Sequence, residues 1–264
     1  MLLAVSEDMS FRKQTDFSKI EFYLNPDDPY AMDLSGCTLI TGFYGIGKIG
    51  FIVVNHMINK LGARRIGYII TEVIPPFISV KNNSIVLPFE IYRAGDIVFI
   101  AAFFEPYKNE HRSFARAVLS WTIQEKFSKI ILIGGLDSRL RQDENVFAKA
   151  VFTQSYRDLG FETNLSELDE GLYVTGPLAL LLMFAEVYKF PAVAVLSYAE
   201  RSRPDPIGAS HAVSIINDLL KTNCGVEELI KEAENIEKEI SEMMEATENP
   251  ATEDSNNRDK GLFM

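Results

Sequence analysis

Thr41-Gly-Phe-Tyr-Gly-Ile-Gly-Lys-Ile-Gly50 decides how this chain is read. Gly45, Gly47 and Gly50 spell G-x-G-x-x-G between a strand-like run, Cys37 to Thr41, and a helix-like run, Phe51 to Leu61. That is the layout of a dinucleotide-binding turn, and Glu72 follows a second strand-like run about where a ribose-binding acid belongs. Gly42 with Gly47-Lys48 also gives G-x-x-x-x-G-K, the start of a phosphate-binding loop. Both fits are incomplete. Ile49 stands where a magnesium-binding Ser or Thr belongs, and Gly42 interrupts the strand before it reaches Gly45. Since glycine alone accepts φ > 0 without strain, Gly42, Gly45, Gly47 and Gly50 are expected to form a structural turn that packs helix closely onto sheet. The competing reading is a nucleotide-dependent, ligase-like enzyme that uses the same turn.

Outward from this turn, apolar runs alternate with helical patterns. Strands are expected at Cys37–Thr41, Ile66–Thr71, Ile85–Tyr92, Ile97–Phe103, Ile130–Ile133 and Ala192–Leu196. Helices are expected at Phe51–Leu61, Glu110–Lys126, Glu144–Leu159, Leu178–Tyr188 and Gly208–Leu220. Continuous apolar strands covered on both faces by intervening helices imply a three-layer α/β/α sandwich with a mostly parallel sheet. Phe77–Val80 and Ile85–Tyr92, split by Lys81-Asn82-Asn83-Ser84, read as a hairpin, and Pro88 places its second strand at an edge or a bulge. Residues 1–34 read as an N-terminal extension with one strand at Ile20–Leu24. Residues 35–225 read as the α/β/α domain, 226–245 as a separate helix and 246–264 as a disordered tail.

The chain of 264 residues is 47% hydrophobic, enough for a full core, and carries a net charge of −11. Twelve acids and four bases between Val226 and Met264 account for −8 of it. Without a basic face nucleic acid is excluded as a partner. The longest apolar runs are too short to cross a membrane. Cys37 and Cys224 form no C-x-x-C pair, and the N-terminus lacks the basic start and apolar core of a signal peptide, so a reduced, cytoplasmic setting is expected. His56, His111 and His211 fall in three separate helical segments without ligand spacing, so no metal, cofactor or catalytic residue is expected. Arg139, Arg141, Arg201 and Arg203 follow two strands and face either an anion or each other's loop acids.

Beyond Gly225, Val226, Leu229, Ala233, Ile236, Ile240 and Met243 recur at heptad spacing. Such a seam packs either on its own domain or against other copies as an oligomer helix. Residues 246–260 are polar, and then the chain ends on Gly261-Leu262-Phe263-Met264. Apolar side chains at the tip of a solvated tether suggest a docking plug.

Leu39–Gly50, Val73-Ile-Pro-Pro76, Ile133-Gly-Gly135, Val174-Thr-Gly176 and Pro204-Asp-Pro206 together resemble the archaeal branch of the proteasome assembly chaperone family, from about residue 36 to 245. The resemblance implies an α/β/α sandwich similar to nucleoside phosphorylases, without established catalytic residues. It implies a homo-oligomer, with a second family member as a further candidate partner, that binds the α-ring of the 20S proteasome. Members that engage the ring use a C-terminal hydrophobic-tyrosine-any tripeptide. Leu262, Phe263 and Met264 fit it except that Phe replaces Tyr, which removes one hydrogen bond worth about 1 kcal/mol and keeps the aromatic burial. The expected function is a non-enzymatic assembly chaperone or ATP-independent activator, with an oligomeric scaffold that makes no proteasome contact as a further alternative.

Overall fold

A computed structural model describes residues 12–14, 20–76, 78–81, 83–160, 165–231, 233, 235, 237, 238, 240 and 241. In chain order the elements are β1 (Arg12–Gln14), β2 (Glu21–Leu24), α1 (Pro29–Met32), β3 (Thr38–Gly42), a 3-10 turn (Ile46–Lys48), α2 (Ile49–Lys60) and β4 (Arg64–Ile70). There follow β5 (Ser79–Lys81), β6 (Ser84–Val86), β7 (Phe89–Ala94), β8 (Ile97–Ala102), α3 (His111–Gln124) and β9 (Lys129–Asp137). The remainder are β10 (Ala148–Phe152), α4 (Gln154–Asp158), α5 (Gly176–Val187), β11 (Ala192–Ala199), α6 (Pro206–Leu220) and α7 (Glu227–Lys231), with helical backbone recurring to Ser241.

Among the described residues nine strands form one sheet in the order β1-β2-β4-β7-β8-β3-β9-β11-β10. The central strands β8, β3, β9 and β11 run parallel, while β7, β4, β2 and β1 on one side and β10 on the other attach antiparallel. The parallel pairing expected from the apolar runs is therefore concentrated at the centre. A continuous apolar run reports that both faces of a strand are covered, not the direction of its neighbour.

Alternation along the central strands feeds two cores. Leu39, Val98, Ile100, Ile130 and Leu132 face the layer of α3 and α5. Ile40, Phe99, Ile131, Ile133 and Val195 face α2 and α6. The result is the α/β/α sandwich, with helices on both faces of the sheet.

Three expectations change. Glu144–Leu159, read as one helix, is instead the edge strand β10 followed by the short α4. Ala148 and Ala150 are buried while Lys149 between them is half-buried, the period of two that an edge strand shows. Thr153 then caps α4 by accepting from the Tyr156 amide. The segment read as an N-terminal extension contributes β2 to the main sheet, and Ile20, Phe22, Leu24 and Leu34 lie in the same core as α3. Phe22 stacks on Trp121 at 4.9 Å. Finally, Pro88 divides the run expected from Ile85 to Tyr92. Having no N–H to donate, it ends β6, and β7 starts afresh in the large sheet.

Candidate functional site

The glycine turn leaves β3 at the carboxyl edge of the parallel strands, where open α/β sheets bind ligands. A Cβ on Gly42 would lie 2.5 Å from the Gly50 Cα and 2.8 Å from the Ile133 carbonyl oxygen. One on Gly50 would lie 2.6 Å from the Phe43 nitrogen and 2.7 Å from the same oxygen. The end of β3 and the start of α2 thus press backbone against backbone over β9. Gly47 has φ +62° and abuts Ala199 of β11, where a Cβ would come within 2.5 Å of the alanine methyl. Packing alone accounts for these three glycines. Gly45 differs, because a Cβ there would meet nothing within 4 Å.

Charge around the turn does not favour phosphate. The Gly47 carbonyl accepts from the Asp205 amide at 2.8 Å, which brings the carboxylate-capped start of α6 beside the turn. Lys48 sits with its ammonium 5.6 Å from the centre of the Tyr44 ring. Burial raises the carboxyl of Glu105, which Lys48 and His111 partly offset. Tyr44 stacks on Phe51 and donates its hydroxyl to the Phe103 carbonyl at 3.0 Å, and burial raises its pKa. Against the turn lies a cavity of about 200 Å³, lined chiefly by Phe43, Tyr44, Glu105, Leu136, Pro177 and Leu178. Next to it Arg139 pairs with Asp137 through Nε at 3.0 Å, and that contact holds the Asp137 carboxyl down to about 2. Arg201 stands 3.9 Å from the same carboxylate. Both arginines are drawn to Asp137 at the end of β9. Among the described residues no cluster of His, Cys, Asp and Glu could hold a metal ion, and no helix is long and apolar enough to cross a membrane.

Part of the heptad seam is covered within the chain. Lys221 ends α6 in the left-handed conformation, and the Asn217 side chain grips Cys224 at both its N–H and its C=O, 2.9 Å each. This reverses the chain onto the α2–α6 face. His56 donates through Nε2 to the Gly225 carbonyl at 2.7 Å, while Lys60–Glu228 and Arg203–Glu237 ion pairs pin the helix along its length. Leu229 and Ile240 are buried in that core, Val226 packs against it and Ala233 is half-buried. At Val226, Leu229 and Ile240 the packing is on the chain's own domain. Ile236, Met243 and the terminal Leu262, Phe263 and Met264 lie outside the described residues.

A second region had no sequence signal. Glu90, fully buried on β7, accepts from Arg65 Nη1 at 2.9 Å and from the Leu87 amide at 3.0 Å through Oε1, and from the Tyr92 hydroxyl through Oε2. Arg65 also donates to the Ile85 carbonyl at 2.8 Å, tying the β5–β6 hairpin to the body. Ile78, Val80 and Ile85 on or beside that hairpin are exposed.

The described residues thus form an α/β/α sandwich whose glycine turn is closed by packing, with Arg139 and Arg201 at Asp137 and Arg203 at Glu237. The PAC2 family matches residues 39–244, and the chain belongs to it. It is 28% identical over 210 residues to the uncharacterized protein MJ0106 of Methanocaldococcus jannaschii, across 78% of this chain and 85% of that one. It is 26% identical over 130 residues to proteasome assembly chaperone 2 of Bos taurus, covering 45% and 48% of the two chains. In structure it resembles Pyrococcus furiosus PbaA, an archaeal homolog of proteasome-assembly chaperone, with a TM-score of 0.74 at 23% identity, over 87% of this chain and 98% of that one. P. furiosus PbaB, an archaeal proteasome activator, matches with a TM-score of 0.66 at 16% identity over 86% and 99%. At those identities the structural likeness establishes the fold.

Proposed function

We propose that this protein is a non-enzymatic proteasome assembly chaperone or ATP-independent proteasome activator. It acts as a cytoplasmic homo-oligomer that docks on the 20S α-ring through Leu262-Phe263-Met264. Membership of the PAC2 family carries the proteasome-related part of the reading. The course of the terminal helix supports the docking part. The Arg203–Glu237 pair brings that helix to the loop between β11 and α6, at the carboxyl edge of the sheet, and residues 242–264 continue from there to the apolar tripeptide.

One tripeptide anchors weakly, with the Leu262 and Phe263 side chains as apolar plug and the terminal carboxylate as partner for a cation in the ring. Several tripeptides presented by one oligomer gain by effective concentration, on the order of 10²–10⁴-fold when their tethers span the sites. The deciding experiment compares binding of the full chain and of a chain lacking Leu262-Phe263-Met264 to isolated 20S proteasome. Binding by the full chain alone supports the reading, and equal binding by both removes the tail from it. Failure of both to bind would sink the α-ring partner.

A further inference from the structure

The cavity of about 200 Å³ beside the glycine turn lies at the carboxyl ends of the neighbouring parallel strands β3 and β9. Phe43, Leu136, Leu178 and Leu196 give it apolar walls, and Glu105 is the only charged residue on its lining. Lys48, Lys108 and His111 stand near that carboxyl. Gly45 and Gly176 also line the cavity, and a Cβ on either would meet nothing within 4 Å. The one glycine of the turn that packing does not account for therefore borders open space. An apolar concavity with few polar groups is where a ligand binds, and this one has room for a single large apolar side chain.

The chain itself delivers such side chains to this edge. The Arg203–Glu237 pair sets the terminal helix on the loop between β11 and α6. From the end of that loop Asp205 donates its amide to the Gly47 carbonyl at 2.8 Å, two residues from Gly45 on the cavity wall. The 24 residues 238–261 separate Glu237 from Leu262. That length covers about 36 Å even as continuous helix, whereas pair, loop and turn follow one another in direct contact. Beyond Met244 the sequence holds no large apolar residue until Leu262, Phe263 and Met264. A tether that reaches its site holds its tip there at an effective concentration on the order of millimolar, which a free ligand must outcompete.

We propose that Phe263 seats in the cavity of its own chain, with Leu262 and Met264 at the mouth, so that the tail is sheltered until a stronger site takes it. The contact is autoinhibitory. Only the free fraction of tails is competent to dock, and the apparent affinity for any other site falls by that fraction. This adds regulation to the docking proposed above and rests on that reading for its consequence.

The test uses the full chain with para-fluorophenylalanine in place of Phe263, read by fluorine NMR without proteasome. A free peptide of residues 259–264 carrying the same label is the reference. The full chain's resonance stands apart from the peptide's and stays there on dilution. Gly45→Leu puts a side chain into the open space and moves the resonance to the peptide's position, while a melting curve shows the fold intact. Gly45→Val is the smaller plug should leucine disturb the turn. The unlabelled Gly45→Leu chain then binds isolated 20S proteasome on the order of tenfold more tightly than the wild type, and removal of Leu262-Phe263-Met264 abolishes the gain.

A wild-type resonance at the peptide's position overturns the proposal. So does a shifted resonance that both plugs leave in place, which puts the tail elsewhere, or one that reverts on dilution, which puts it in a second copy. Affinity for the 20S proteasome that the plugs leave unchanged overturns the inhibitory role. If no form binds the proteasome, the docking reading falls, and the resonance alone still decides where the tail sits.

Discussion

The glycine turn and the β5–β6 hairpin both lie on the connections of one sheet, and they handle their surroundings in opposite ways. At the turn, side chains have been removed so that backbone meets backbone; Gly42 and Gly50 leave no room for a methyl group. At the hairpin, large side chains are retained and face outward. Substitution in the turn should therefore act on folding. Substitution on the exposed face of the hairpin should leave the protomer's stability alone.

The largest break in that comparison is Gly50→Ala. Helix propensity alone favours alanine by about 1 kcal/mol. The new methyl would sit 2.6 Å from the Phe43 nitrogen and 2.7 Å from the Ile133 oxygen, both of them backbone atoms with little freedom to retreat. The clash wins, and we expect a loss of about 3–4 kcal/mol in a urea titration. A change within 0.5 kcal/mol would show that the turn is loose.

Next comes Glu90→Gln, at the root of the hairpin. The amide keeps the shape but leaves the half-buried Arg65 without its carboxylate, at a cost of about 2 kcal/mol. Proteolysis or hydrogen exchange should show the loss concentrated at Ile85–Leu87, where the Arg65 and Glu90 bonds converge.

A smaller effect, under about 1 kcal/mol after allowance for solvent screening, is expected at Glu105 beside the turn. Burial raises its pKa in the folded state above the ordinary 4.5. The folded protein therefore holds this proton more tightly than the unfolded chain. The stabilising contribution is present below the ordinary value and disappears as pH rises through the raised one. Glu105→Gln should flatten that part of the curve of Tm against pH; an unchanged slope would remove Glu105 as its source.

The smallest effects are the sharpest internal control. Gly45→Ala lies in the same turn with open space around its Cα, and Val80→Thr lies on the exposed hairpin. Both should change stability by less than about 0.5 kcal/mol in the same urea titration.

Local chemistry made much of this molecule legible. The strand–turn–helix around Gly42–Gly50 could be read because its signals are adjacent in the chain, and the central strands because both faces are apolar. β10 was missed because Ala-Lys-Ala-Val-Phe suits a helix in isolation, and the β11 edge that makes it a strand is distant in sequence. Glu90 gave no signal because its cation is Arg65, far along the chain on a different strand. Val226, Leu229 and Ile240 stand out in the sequence as an apolar seam. Which surface it covers depends on Asn217 and Cys224 turning the chain back, which periodicity does not encode.

Arg65 has a consequence for motion. One guanidinium holds the hairpin carbonyl of Ile85 and the buried carboxylate of Glu90 together. If the ribbon swung away with Arg65 attached, Glu90 would be left buried without its cation, held only by neutral donors such as the Tyr92 hydroxyl, whereas breaking the Ile85 bond costs one exposed hydrogen bond. The low-energy movement is then a hinge at Leu87, with the guanidinium staying behind as its fixed post. A hairpin hung in this way can tilt to suit whatever surface it meets while the sheet beneath stays still.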